Sequence, residues 1–413
     1  VFSLFVEVGG VVYEEGTVGA RLRILRRWRR MSLAQLAGQA GLSKSFLSMA
    51  ERGQRALDRR SHIAALASAL RVSETELVGG PHLSEDPVQS APHAAIPAIR
   101  EALLTNTLTA PVADRARPLA DLVAEMTRID RGRAKFVEVG AHLPRLIDEL
   151  HVHACAPADE VAHRTALETL IEAFQAATFS AKDLGYADLA HIAAMRAGEA
   201  ASILADPVSV GKAASLRIHT LPDSSWAVRY AAAESAVKAL QSHVRDDTGV
   251  HVLGMLTLAT ALSATVTSNP ATADHWLDEA AELATRVPDT PGENWGAFSA
   301  SNVAVWRVGL AVERSEAGGT VLGLARQIDE SRIAARRGRH AMFLADVGRG
   351  LAREARMRDE AVRWLRRAEN IAPHKIRNDV RVRDTVAVML EQARTASLGR
   401  ELRGMAARMG VPH

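Results

Sequence analysis

One cysteine in 413 residues, Cys155, leaves no partner for an internal disulfide and fits a reducing compartment. Aromatic residues make up only 4% of the chain, and 28 glycines and 15 prolines are too few to punctuate a chain built from many short strands. No uninterrupted apolar run approaches the roughly 20 residues that cross a bilayer. Nothing has the charged start, apolar centre and small-residue cleavage site of a signal peptide. These absences point to a soluble, intracellular protein with no membrane partner. What fills the chain is alanine, leucine, glutamate and arginine, so its apolar content sits in good helix formers and the expected class is all-α. At roughly 150 residues per domain, the length implies two or three units.

The net charge of +3 hides an asymmetry. Residues 17 to 80 hold twelve Arg and Lys against four acids, a net of +8, while residues 1 to 16 carry −3 and the remainder −2. A GC-rich genome scatters arginine everywhere, and Arg outnumbers Lys 45 to 6 here. Scatter alone does not gather the charge in one sixty-residue stretch, and such a concentration is the footprint of a phosphate-binding surface.

Within that stretch, residues 32 to 53 encode two short helices joined by a tight turn. Ser32 is placed to cap the first, which buries Leu33, Leu36, Ala37 and Ala40 at helical spacing; Gly41 supplies the left-handed stop, and Leu42 drops between the helices. Ser43 caps the second, which buries Phe46 or Leu47 together with Ala50 and turns Lys44, Ser45, Ser48 and Met49 outward. With the Arg-rich helix before it (Arg21 to Arg30), the Glu51-Arg52-Gly53 that closes it and the Leu66 to Ser73 run after it, residues 19 to 78 resemble the phage-repressor/Cro class of helix-turn-helix, the XRE-type regulators. A small helical bundle with a chance match is the alternative.

The resemblance implies that the second motif helix enters the major groove, with Lys44, Ser45, Ser48 and Met49 at base edges. Lys44 suits guanine O6 and N7, and Met49 a thymine methyl. Backbone contacts are expected from Ser32, Ser43, Arg52, Arg55, Arg59 and Arg60, with a solvated surface charge as the alternative for each arginine. The family often places a phosphate-binding glutamine where this chain has Leu33, which weakens one expected contact.

Around this module, residues 1 to 16 begin on Val rather than Met and read as a disordered or loosely packed arm without assigned function. Helix one is expected at about 18 to 30, with Val18, Leu22 and Leu25 on one stripe, Ile24 and Trp28 beside it, and the arginines facing solvent or phosphate. Asp58 or Ser61 is expected to cap a fourth helix, and Ser73 a short fifth with Glu76 at its third position. Residues 81 to 97, with three prolines after Gly79-Gly80-Pro81, read as a linker.

From 98 to 413 helical segments of 12 to 24 residues alternate with turn signals. Ala273 to Ala284 matches Ala361 to Ala372 at every small or large apolar position, and Pro373 follows the second copy. Small-x-x-large-large-x-x-Ala before a proline resembles the second helix of a tetratricopeptide repeat, so this part reads as a solenoid of helical hairpins. A non-repeating bundle is the alternative, because the copies lie 88 residues apart, more than twice the usual period.

No nucleotide loop, nucleophile elbow or paired-histidine metal motif occurs, so no catalytic residue and no cofactor is assigned. His151 and Cys155 share a helix face but two ligands from one turn do not build a zinc site, so no metal is assigned either. Trp226, Trp276, Trp295, Trp306 and Trp364 read as packing residues. The sequence therefore predicts a cytoplasmic, nucleoid-associated, sequence-specific transcriptional regulator of double-stranded DNA operators, and not an enzyme. The resemblance implies that its repeat domain forms a homodimer and takes a small-molecule, peptide or protein effector. The other reading is a protein-interaction scaffold brought to DNA by its helix-turn-helix.

Overall fold

A computed structural model of the chain describes residues 17–79, 90–131, 136–290, 295–393 and 399–411. The arm expected at 1 to 16 and most of the expected linker lie outside these. The described backbone is all-α, with no strand and one isolated bridge between Thr107 and Ala110.

Five helices form the N-terminal unit: α1 (Val18–Trp28), α2 (Leu33–Ala40), α3 (Lys44–Glu51), α4 (Arg60–Leu70) and α5 (Glu74–Val78). They enclose Leu22, Leu36, Leu47, Leu57, Leu66 and Leu70, all fully buried. Ser73 and Glu76 form a reciprocal capping box at α5. At α4 neither Asp58 nor Ser61 caps. Arg59 holds the cap position without a side-chain bond, and the backbone N–H of Arg60 donates to Glu313 Oε2 at 3.1 Å.

The stretch expected to be linker up to Pro97 becomes helical sooner. Ala91–Ala95 form a 3-10 turn that runs into α6 (Ile96–Thr105), with Pro92 and Ile96 buried. Prolines in a first helical turn lose no hydrogen bond, so Pro92 and Pro97 do not prevent helix formation.

Beyond α6, the helices pair with their neighbours in sequence. The first group is α7 (Leu119–Arg131), α8 (Phe136–Cys155), α9 (Glu160–Asp183), α10 (Ala187–Leu204) and α11 (Pro207–Thr220), around one alanine-rich core. Next come α12 (Trp226–Gln241), α13 (Asp247–Val266) and α14 (Pro270–Ala284). The last group is α15 (Ala300–Glu313), α16 (Gly318–Arg326), α17 (Arg337–Ala352), α18 (Arg358–Ile371), α19 (Pro373–Asn378), α20 (Val380–Ala393) and α21 (Gly399–Arg408).

The two matching segments fall in α14 and α18 and bury equivalent residues, Ala273, Leu277, Ala280 and Ala284 in one and Ala361, Leu365, Ala368 and Ala372 in the other. Each packs on the helix before it, α13 or α17. Approach is closest at Gly348 of α17, where an added Cβ would lie 2.6 Å from Leu365 Cγ. Helix α13 is apolar and long enough to cross a membrane by composition, with a mean hydropathy of 1.6, but it lies inside the protein, nearly all of it buried. The hydroxyls of Thr257, Thr260 and Ser263 return to carbonyls of the same helix, as Thr257 does to Leu253 O at 2.9 Å, so these three are satisfied without leaving it.

The N-terminal unit docks on the last group through an ion network. Arg60, Arg349, Arg353 and Arg381 face Asp58, Glu313, Asp346 and Asp379. Arg349 is fully buried, bonded to Asp346 Oδ1 at 2.6 Å and to the Asp58 carbonyl. Arg353 Nη2 donates to Asp58 Oδ2 at 2.7 Å. The far side of α4 packs on the turn Asp223–Ser225, where Glu74 accepts from the Ser224 N–H.

Asp384 of α20 completes the junction by accepting from Val18 N at 2.9 Å and Leu57 N at 2.6 Å. Burial raises its carboxyl to about 6, against the pull of those two N–H groups. The folded protein thus keeps this proton up to about pH 6 while the unfolded chain releases it near 3.8, so this group's contribution to stability falls as pH rises between those values. Asp384→Asn is expected to gain stability relative to the parent across that window, by up to about 3 kcal/mol, read as urea midpoints against pH. A pH-independent difference would refute the assignment.

Candidate DNA-binding surface

The motif is built by local chemistry. Ser32 Oγ accepts from Gln35 N at 3.2 Å while Ser32 N donates to Gln35 Oε1 at 2.8 Å, closing the start of α2. Gly41 takes φ +64°, and Leu42 N bonds Ala37 O at 2.9 Å, the six-to-one bond that turns the chain out of a helix. Ser43 Oγ accepts from Phe46 N at 3.1 Å and starts α3. These positions follow the sequence expectation. Leu47 and Ala50 form the buried side of α3, with Phe46 half-buried beside them.

On the outer side of α3, Lys44 and Ser45 are exposed, and Ser48 and Met49 are half-buried. Ser32 and Ser43 are exposed at their helix starts, and Arg52 and Arg55 are also exposed. Arg52 Nε leans back on Ser48 O at 3.1 Å. The helical domain meets the loop behind α3, where Gln392 Nε2 donates to Gln54 O at 2.6 Å.

The remaining two arginines are placed differently. Arg60, expected at the phosphate backbone, ion-pairs Glu313 in the interdomain junction, because its position at the first turn of α4 faces the other domain. Arg59 is half-buried and donates from Nη1 to His62 Nε2 at 3.1 Å. His62 lies edge-on to Phe46 at 4.8 Å, and burial, helped by Arg59, lowers it to about 4 and keeps it a neutral acceptor.

Helix α1 also departs from expectation. Arg26 does not face solvent: it grips Glu51 with Nε at 2.6 Å and Nη2 at 2.7 Å, and its Nη1 donates to Met31 O at 2.7 Å, tying α1 to the end of α3 and the start of α2. The Glu51 bond raises the Arg26 proton affinity despite burial. Arg29 donates to Leu70 O at 2.8 Å and Arg71 O at 2.9 Å, closing the end of α4. Trp28, expected beside the apolar stripe, is 63% exposed with the Arg29 guanidinium 4.5 Å from its ring.

Sequence reasoning missed one residue that positions the reading helix. Gly19 lies where α1 crosses α3, and an added Cβ would sit 1.9 Å from Ala50 O. A glycine in the first turn of an otherwise Leu- and Arg-rich helix was the available signal, since helix interiors disfavour it.

His151 and Cys155, weighed as metal ligands, have other partners: His151 is buried with Nδ1 on Ile147 O at 2.7 Å, and Cys155 Sγ points at Thr107 O at 3.6 Å. Among the described residues no three His, Cys, Asp or Glu side chains are grouped to hold a metal ion.

No curated protein and no solved structure matches the chain. Residues 17–78 match the family model described as a helix-turn-helix domain. That span is α1 to α5, so the surface formed by α2 and α3 belongs to a helix-turn-helix DNA-binding domain.

Proposed function

We propose that this chain is a sequence-specific transcriptional regulator that acts at the nucleoid, in the cytoplasm, without a catalytic step of its own. The carrying observation is that, among the described residues, Lys44 and Ser45 on the outer side of α3 are exposed while the domain is docked through α4 and the start of α1. In this reading α3 lies in the major groove with Lys44, Ser45, Ser48 and Met49 at base edges. Ser32, Ser43, Arg52 and Arg55 hold the flanking phosphates. Arg60 is left out of the interface, being paired with Glu313.

The helical domain, tetratricopeptide-like in its α13–α14 and α17–α18 pairs, joins two chains and receives the signal. A single module of this size buries little DNA surface, and pairing two of them on half-sites about one helical turn, ~34 Å, apart supplies the missing affinity.

Selection of random duplexes by the full chain is expected to enrich an inverted repeat. On the selected site, Lys44→Ala should cost about 1–3 kcal/mol and relax preference at one base position, whereas Arg55→Ala should weaken all duplexes alike and lower the salt slope by about 1. Equal affinity for random and selected DNA would refute the reading.

A further inference from the structure

Residues 17 to 50 contain six arginines and one lysine and no acid. The first carboxylate after them, Glu51, is taken by Arg26 through bonds of 2.6 and 2.7 Å. Two more guanidiniums end on backbone carbonyls, Arg21 on Glu76 O at 3.4 Å and Arg29 on Leu70 O and Arg71 O. That leaves Arg23, Arg27 and Arg30, which are exposed; among the described residues their side chains have no hydrogen bond or ion pair. A solvated arginine is ordinary on any surface. The position of two of these is what matters.

Arg27 belongs to the last turn of α1, and Arg30 stands at the corner between α1 and α2, two residues before Ser32. The corner is closed by Arg30 N on Arg27 O at 2.8 Å and Met31 N on Arg26 O at 3.0 Å, and Arg30 takes φ +54° to make it. It is also fixed against α3, because the guanidinium with which Arg26 grips Glu51 gives its Nη1 to Met31 O at 2.7 Å. One side chain thus holds the corner and the reading helix in register. Arg27 follows Gly19 and Arg23 at four-residue spacing, in the row that meets α3 at Ala50. Two residues of chain span at most about 7 Å, so Arg30 lies within a side chain's length of the start of α2. There Ser32 is exposed, and half-buried Leu33 offers no side-chain donor. Successive phosphates of one strand advance about 3.4 Å along the duplex axis, so a strand held at Ser32 brings a neighbouring phosphate within reach of Arg30.

We propose that Arg30 and Arg27 form a second phosphate-binding edge of the domain, one that holds the DNA strand bordering the groove on the α2 side while α3 reads the bases. This edge rests on the placement of α3 in the major groove given above, but it needs no sequence specificity. It meets only phosphate charge, so it strengthens binding to every duplex alike and selects none. The competing role for both residues is structural, since cations near the last turn of α1 favour the negative end of that helix. A structural role shows in stability and leaves the salt dependence of DNA binding where it was. A phosphate contact does the reverse.

The test is Arg30→Gly in the full chain, titrated with random-sequence duplex by fluorescence anisotropy between about 50 and 200 mM salt, with thermal melts alongside. Glycine is the residue that a left-handed corner accepts most readily, so the variant is expected to melt at the parent's temperature or above it. Its affinity is expected to fall and its slope of log affinity against log salt to drop by about 1, so the parent's advantage shrinks about three- to fourfold across that range. Arg27→Ala should lower the slope by about as much. Arg71→Gly is the control, since Arg71 is also exposed and left-handed, at φ +53°, but follows α4 instead of preceding α2. It loses the same charge, and its slope is expected to match the parent's. An unchanged slope in Arg30→Gly, or an equal drop in Arg71→Gly, overturns the edge. Selection of an operator is read separately. An operator selected by the parent with no slope change in Arg30→Gly refutes the edge and keeps the regulator; a slope change without any selected operator keeps the edge and refutes the regulator. A parent that binds no duplex refutes both.

Discussion

Gly19→Ala is expected to destabilise the helix-turn-helix domain by about 3 kcal/mol, the upper end of overpacking penalties, and to reduce operator binding to the level of random DNA. The added methyl would meet the Ala50 carbonyl oxygen at 1.9 Å, and that oxygen belongs to the backbone of α3, so no rotamer change can relieve the contact. The helices must separate instead. Separation breaks the register that Arg26 imposes on Glu51 and moves Lys44 and Ser45 away from the groove they would read. Gly38→Ala provides the control, because nothing lies within 4 Å of its added Cβ. That change is expected to raise stability by about 0.5–1 kcal/mol through backbone entropy alone. Thermal melts of the two variants, with fluorescence anisotropy on the selected operator for Gly19→Ala, decide the point; equal stability would place the α1–α3 crossing elsewhere.

The second large effect is expected at Glu313. Its carboxylate is nearly fully buried and receives the Arg60 N–H at 3.1 Å and the Arg60 guanidinium, with Arg349 at 3.7 Å and Arg381 at 3.8 Å. Removing it leaves more buried arginine than carboxylate to neutralise it. Glu313→Ala should therefore cost about 3–5 kcal/mol, as breaking one side of a buried pair does. Urea unfolding followed by a probe in each domain should then resolve two transitions where the parent shows one, because the lost contact is the one that couples them. Less than 1 kcal/mol of loss (roughly, the worth of a surface pair) would show the junction to be a surface contact.

The pH dependence carries an independent sign. Despite burial, the three arginines hold Glu313 at about 2, below its unfolded value of 4.5. Its contribution is complete above pH 4.5 and is lost as pH falls toward 2, the opposite direction to Asp384. Glu313→Gln should flatten the acid limb of the stability profile, and Asp384→Asn the region between about 4 and 6.

The features legible in the sequence share a short range. Ser32, Ser43 and Ser73 bond donors three residues away, Gly41 turns its own backbone, and the leucines of α1 to α4 repeat at the period of one helix. Neighbouring residues suffice to predict each of these. Arg26 was expected at solvent or phosphate because its partner, Glu51, lies 25 residues on, and the bond that exposed Arg29 makes to the end of α4 spans 41, both beyond any helical pattern. Arg60 was expected at phosphate for the same reason, its acid being 253 residues away.

The amino-acid order alone determined the all-α class, the caps of α2, α3 and α5, the helix-turn-helix and the side of α3 that faces out, since each follows from bonds and periods within a turn or two. Tertiary structure decided which arginines remain for a ligand and which serve as fasteners, and it supplied helix ends from afar, with Asp384 taking the Val18 N–H across 366 residues. The physical reason is that a charged side chain reaches whatever the fold brings beside it. Its role is set by the opposite charge and the burial it meets there, and neither is written next to it in the chain.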